Sequence, residues 1–154
     1  MKFRIINCLV MSMTFAFAND ISGIYLLPKD SKNRQSVVEV FNKNERFYGV
    51  GFSTTNGINN DLDSNNPDKK LQNRPIRGSV FLNLNCSETP CTGQIYSFEK
   101  GKTYPVKATL TNNTLEIKVD VFFGPTLIWE KLDKSQAAKY ENQRLDINSL
   151  ELMK

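Results

Sequence analysis

The stretch "TLEIKVDV" constrains this chain more than any other feature. Leu115, Ile117, Val119 and Val121 fall on one face, and Thr114, Glu116, Lys118 and Asp120 on the other. A period of two marks a strand with one buried face and one wet face. The same alternation dominates from residue 22 to residue 131. "IRGSVFLNLN" places Ile76, Gly78, Val80, Leu82 and Leu84 in one row, and "TYPVKATL" does so with Tyr104, Val106, Ala108 and Leu110. "QSVVEVFN" and "ERFYGVGFS" read as two more strands joined around Asn42-Lys43-Asn44, and "SGIYLL", "TGQIYSF" and "PTLIWEKL" bring the count to eight. Most connections are short: Glu99-Lys100-Gly101-Lys102, Thr111-Asn112-Asn113 and Phe123-Gly124-Pro125 are turn or breaker signals. Eight strands with short turns predict an all-β, antiparallel up-and-down barrel, because closure removes the exposed sheet edges.

Two segments break the pattern. Residues 54–74, "TTNGINNDLDSNNPDKKLQNR", form a long polar connection, and loops beyond ~12–15 residues in a compact domain are usually functional or disordered. From Asp133 onward, Asp133 and Gln136 make a capping box before good helix formers that run through Arg144. A short C-terminal helix and tail are therefore expected over residues 133–154. The apolar residues of that tail, Leu145, Ile147, Leu150 and Leu152, either pack on the barrel exterior or meet a partner protein. Because the barrel closes first, a chain ending at Asp133 is expected to fold.

The N-terminus reads as an export signal. Lys2 and Arg4 precede an apolar run from Ile5 to Phe17, and Ala16-Phe17-Ala18 has the small-residue pattern of a cleavage site. The run falls short of the ~18–20 residues needed to span a bilayer. Cys8 lies inside it without the small residues a lipid-anchoring site would need before it. We expect residues 1–18 to be the signal, 19–132 the barrel domain, and the mature protein to be periplasmic or secreted. The signal takes with it two of the 20 basic residues and none of the 16 acidic ones, leaving 18 against 16. So small an excess gives no support for nucleic-acid binding, and no later segment could cross a membrane as a helix.

In an oxidising compartment Cys86 and Cys91 read as a disulfide stapling a hairpin whose loop is Ser87-Glu88-Thr89-Pro90. Closing so short a loop contributes about 2 kcal/mol in the chain-entropy model. A metal site would need more ligands, and the chain has no histidine. Asp61, Asp63 and Asn65 imitate the start of a calcium loop. Asn66 stands where that loop needs glycine, however, and Gln72 where it needs a bidentate carboxylate. Neither a metal nor a cofactor is expected. Lack of histidine also removes the usual general base and any Ser-His or Cys-His pair. Paired carboxylates such as Glu39 and Asp120 remain arithmetically open, although strand carboxylates usually face solvent. The protein is expected not to be an enzyme.

Aromatic residues occur on nearly every strand, and an eight-stranded barrel is either filled by side chains or able to hold one small ligand. Gly49, Gly51, Gly78 and Gly93 remove bulk, which opens a cavity or merely permits bends and bulges. The segments "SGIY", "VVEVF", "FYGVG", "NNPDKKLQNRPIRG", "GQIYSFEKGKTY", "TLEIKV" and "LIWEKL" resemble an uncharacterised family of small secreted bacterial proteins with a lipocalin-like, calycin-type barrel. The resemblance covers about residues 22–132. It implies an eight-stranded barrel with possible binding of small, largely apolar molecules, and no established activity. Gly23-Ile24-Tyr25 is also similar to the G-x-W of lipocalins with Tyr replacing Trp. Lys131 is then placed to lie over Tyr25, a contact of roughly 0.5–1 kcal/mol.

The favoured expectation is a barrel that takes an apolar or amphipathic, fatty-acid-like ligand in its interior. Arg74, Arg77, Tyr96, Tyr104 and Trp129 supply its polar and aromatic contacts, and the 54–74 loop acts as a lid. The competing expectation is an interaction module of the cell envelope or extracellular space, with a filled barrel and a protein partner met through the long loop or the C-terminal helix.

Overall fold

The computed structural model describes residues 20–154. The expected signal segment, Cys8 included, lies outside them. Eight strands follow in chain order: β1 (Gly23–Lys29), β2 (Gln35–Lys43), β3 (Arg46–Thr54), β4 (Val80–Asn85), β5 (Cys91–Ser97), β6 (Lys102–Thr111), β7 (Thr114–Val119) and β8 (Thr126–Lys131). Each pairs antiparallel with its sequence neighbours, and β8 returns to β1, so the sheet closes into an up-and-down barrel. The hairpin between β2 and β3 turns at Asn44-Glu45, one or two residues later than the sequence signal. Both residues have positive φ, as a two-residue turn matching the strand twist requires. Opposite Val37/Val38 and opposite Gly49/Val50 the register skips one residue, Phe52 of β3 and Phe81 of β4, which marks bulges in β3 and β4.

Inward-facing positions of all eight strands meet in one apolar core. Tyr25, Val38, Val40, Leu82, Leu84, Leu115, Ile117 and Trp129 are each at most 1% exposed. The closing contact at the base takes the expected form. Tyr25 pairs with Lys131, whose Nζ stands 5.9 Å from the ring centroid, and the Tyr25 hydroxyl donates to the Ile21 carbonyl at 2.7 Å. The Lys131 chain crosses so close to Gly23 that a Cβ there would lie 2.6 Å from Cε. Cys86 and Cys91 are joined, with Cα atoms 4.2 Å apart, just beyond the Asn85–Thr92 pair that ends the β4–β5 ladder.

Beyond the barrel, the Asp133/Gln136 capping box forms as expected. The helix it starts, α1 (Lys134–Ala138), is only five residues long, and the chain continues through single 3₁₀ turns at Glu141–Gln143 and Ile147–Ser149. The reason is tertiary. Residues 133–154 form a strap bent to follow the curved outside of the barrel, where a straight helix would leave contact. Leu145, Ile147, Leu150, Leu152 and Met153 cover Phe41, Tyr48, Val50 and Val80, and Leu132, Ala137, Tyr140 and Leu145 cover Ile24, Val37 and Phe52. Among the described residues, no helix is long and apolar enough to cross a membrane.

Candidate functional site

One end of the barrel is covered by the 25 residues between β3 and β4. This connection builds its own short ladder: the Asp63 N–H donates to the Arg74 carbonyl at 3.0 Å, and the Ile76 N–H to the Asp61 carbonyl at 2.9 Å. A 3₁₀ turn at Lys69–Leu71 is capped by Asp68. Asn65 donates its side-chain amide to the carbonyls of Phe98 and Glu99, across the β5–β6 turn. That turn passes the loop so closely that a Cβ on Gly101 would lie 1.9 Å from the Asn65 carbonyl oxygen. Gly101 also holds φ at +61°, so glycine is required twice over. The segment expected to act as a lid is thus bonded along its length.

At the centre of this loop Asp63 has no exposed surface. Its carboxylate accepts from Arg74 Nε and Nη2, both at 2.8 Å, from Asn66 Nδ2 at 2.7 Å and from the Tyr96 hydroxyl at 3.0 Å. A buried carboxylate is tolerated only with such compensation. The Arg74 guanidinium also lies over the Tyr96 ring, 5.6 Å from its centroid. Burial, then the hydrogen bond to Asp63 and its charge, push the Tyr96 hydroxyl up to about 12, against an opposing effect of Arg74. Tyr96 is therefore a neutral donor at any ordinary pH. Asp61 turns instead to Asn59 and Arg34. The two carboxylates of the calcium-like spacing thus serve different cationic side chains.

Arg74 and Tyr96 line an open groove of about 480 Å³, together with Leu71, Gly78, Val80 and the strap residue Leu152. From Tyr96 a chain of aromatic contacts leads inward, with ring centroids 5.2 Å apart to Phe98, 5.7 Å on to Phe81, 5.9 Å to Trp129 and 6.3 Å to Tyr25. Beside Gly51 there is a void of about 40 Å³ lined by Ser36, Ser53, Thr54, Asn59, Ile76 and Arg77. That volume suits a few water molecules rather than an acyl chain.

The five residues singled out from sequence separate into three places. Arg74 and Tyr96 come together at the groove. Trp129 is buried in the core, and Tyr104 is half-buried opposite Ile95 with Lys102 Nζ 5.5 Å from its ring centroid. Arg77 serves the strap, donating from Nε to the Phe52 carbonyl at 2.9 Å and from Nη2 to the Gln143 carbonyl at 3.0 Å. Sequence reasoning weighed Asp63 only as a calcium ligand and did not find its role as the acceptor that gathers Arg74, Asn66 and Tyr96. Nor did it find the pairing of Glu39, 5% exposed in mid-β2, with Arg144 of the strap, where Arg144 Nε donates to Glu39 Oε2 at 3.1 Å. The carboxylates Glu39 and Asp120 do not form a pair: Asp120 meets Lys107 at 3.1 Å.

A closed, eight-stranded up-and-down barrel with a loop-covered end and a packed aromatic interior defines the lipocalin-like class. Residues 23–131 match the family described as uncharacterized protein conserved in bacteria (DUF2147), and the chain belongs to that family. The barrel is similar to a solved structure from the human pathogen Helicobacter pylori, protein HP1028, described as belonging to the lipocalin family. The two are 29% identical with a TM-score of 0.75, over 84% of this chain and 94% of that one. No curated protein matches the chain.

Proposed function

We propose that this protein is a periplasmic or secreted, non-enzymatic binding protein for a small apolar or amphipathic molecule of the fatty-acid kind. The observation that carries this reading is the groove where Arg74 and Tyr96 stand at the outer end of the aromatic chain leading to Trp129. A carboxylate head meets Arg74, as charged hydrogen bonding favours, while the apolar tail follows Phe98 and Phe81 toward the core. Tyr104 and Trp129 contribute from the interior wall, and Arg77 acts through the strap that borders the groove. A Cys86–Cys91 disulfide accords with an oxidising compartment, as does the export signal expected at residues 1–18.

The test is titration of saturated fatty acids and apolar dyes, followed through Trp129 fluorescence, the only tryptophan in the chain. Micromolar binding is expected, weakened by about 1.5–3 kcal/mol in Arg74→Ala, the scale of a charged hydrogen bond. Because Arg74 also holds Asp63, each variant's unfolding is measured beside its binding. Fatty-acid binding undetectable at hundreds of micromolar would favour the second reading, an interaction module. One observation supports that alternative: Tyr25, Leu82, Leu115 and Trp129 already occupy the barrel interior.

A further inference from the structure

The four connections at the loop-covered end are residues 30–34, 55–79, 98–101 and 120–125. Around the closed barrel, the β7–β8 connection lies between the β5–β6 turn and the β1–β2 turn. Its tip carries Val121, Phe122 and Phe123, with Phe122 89% and Phe123 91% exposed. The other phenylalanines among the described residues are buried or half-buried. The two tip rings touch each other, with centroids 4.3 Å apart. This tip is well bonded. The Val119 N–H donates to the Pro125 carbonyl at 2.9 Å, Gly124 N–H to Val121 at 2.9 Å, Asp120 N–H to Pro105 at 2.8 Å, and the Lys107–Asp120 pair braces it from β6. Phe123 moreover holds φ at +56°, the left-handed region that a bulky side chain avoids. Two solvent-facing rings on a strained, braced turn do nothing for the stability of the barrel, and such outliers point toward function.

Charge and size decide what fits the tip. Exposed Lys29 and Lys32 flank it on one side and exposed Lys100 and Lys102 on the other. Residues 29–34, 55–79, 98–102 and 120–125 hold nine basic side chains against six acidic ones. The opposite end, residues 20–22, 43–46, 86–90, 112–113 and 131–133, holds three against four. The aromatic tip thus stands on the more basic end. Two rings and a valine are far too small an area for a stable protein interface, which needs on the order of 1,000 Å². A lipid surface accepts such a point: aromatic rings enter the boundary between headgroups and acyl chains while lysines meet anionic headgroups.

We propose that this rim docks on an anionic lipid bilayer, with Phe122 and Phe123 inserted and Lys29, Lys32, Lys100 and Lys102 against the lipid phosphates. The docking stands independently of whether the barrel takes an amphiphile. It would place the loop-covered end, with the Arg74–Tyr96 groove beside it, toward the bilayer.

The experiment is co-sedimentation of the protein beginning at Asn19, which retains the whole described fold, with phosphatidylcholine vesicles with and without phosphatidylglycerol. Binding is expected to vesicles that contain phosphatidylglycerol and to weaken as salt is raised. Phe122→Ser with Phe123→Asn should lower it by at least about tenfold. The thermal midpoint of that variant should be unchanged or higher, because asparagine tolerates the left-handed conformation. Phe122→Ser alone, which leaves the backbone at 123 untouched, should lower binding in the same direction, and Lys32→Glu with Lys100→Glu should weaken it too. Absence of binding at low salt would overturn the proposal, as would equal binding by the phenylalanine variants. A lipid-free dimer abolished by Phe122→Ser, without vesicle binding, would assign the tip to a second copy of the chain instead.

Discussion

The two halves of the barrel wall are built by different rules. In β6 and β7 the outward residues Lys107, Thr109, Glu116 and Lys118 meet water, and burial alternates strictly along β7. In β2 and β3 both faces are buried over most of their length, because the strap lies over Val37, Glu39, Phe41, Tyr48, Val50 and Phe52. A strand buried on one face reads as an alternation, whereas one buried on both reads as a near-continuous apolar run. The closed sheet alone therefore accounts for one half of the wall. The other half is a three-layer arrangement, in which core, sheet and strap depend on each other.

The largest difference between the halves should appear when the strap is removed. A chain ending at Asp133 leaves the outer face of β1–β4 bare. The burial lost from Leu145, Ile147, Leu150 and Leu152 and from the wall beneath them, less the entropy of ordering the strap, amounts to about 3–5 kcal/mol. Urea unfolding measures it. A truncated protein within about 1 kcal/mol of the full chain would show that the covered wall is as self-sufficient as the bare one.

Breaking the ion pair under the strap comes next. Arg144→Ala leaves Glu39 enclosed without its partner and should cost about 3 kcal/mol, the range for an orphaned buried charge. Glu39→Met combined with Arg144→Met should recover most of this loss, and a double-mutant cycle of unfolding free energies measures the coupling. Cys86→Ala with Cys91→Ala should cost less, about 2 kcal/mol, since the loop closed is short. Guanidinium unfolding of the oxidised protein beside this variant gives the comparison. On the bare wall, Glu116→Ala should change stability by no more than about 0.5 kcal/mol.

Titration should act at the loop-covered end, where acid and alkali reach different groups. The Arg34 N–H beside Asp30 holds that carboxyl below its ordinary value, and Asn59 followed by Arg34 does the same for Asp61. Folded-state values below the unfolded one mean that the unfolded chain binds more protons, so stability is full above the ordinary value of 3.8 and falls as pH drops through it. Tyr96 behaves oppositely. Its folded value of about 12 against 10.0 leaves stability intact below pH 10.0, and stability declines from there toward 12 as the unfolded chain loses the proton first. Thermal midpoints measured across pH should show the acid loss reduced in Asp61→Asn and the alkaline loss reduced in Tyr96→Phe.

Much of this architecture was legible in the sequence. "TLEIKV" alternates because nothing covers it, so strand, inward face and neighbours could be read there; Val121, read on the same face, instead leaves the strand and is exposed at the turn. Asp133 and Gln136 announced the start of α1, and Gly23, Tyr25 and Lys131 the closure at the base. Less visible was the double burial of "VVEVF" and "RFYGVGF". These runs carry apolar residues at successive positions, and that run was itself a sign that something must cover the outside. Following the last strand, a reserve of apolar residues stood at Leu145 to Leu152. Glu39 masked the inference, because a lone carboxylate in a strand reads as solvent-facing until its cation, 105 positions later, is brought to it. At the candidate site, Arg74 and Tyr96 could be chosen as residue types. Asp63, which joins them, looked like one more acid in a polar loop, since burial of a loop residue has no period to betray it.

The strap also sets an order in time. A ribosome delivers β1–β4 first, and their outer apolar face then waits through some fifty residues for its cover. Contacts of such long sequence separation form late because a large loop must close before they contribute. Until then Phe41, Tyr48, Val50 and Phe52 are open to any other unfinished chain, the exposure from which aggregation starts. Completion of the barrel and its protection are thus separate events, and the second depends on residues 133–154.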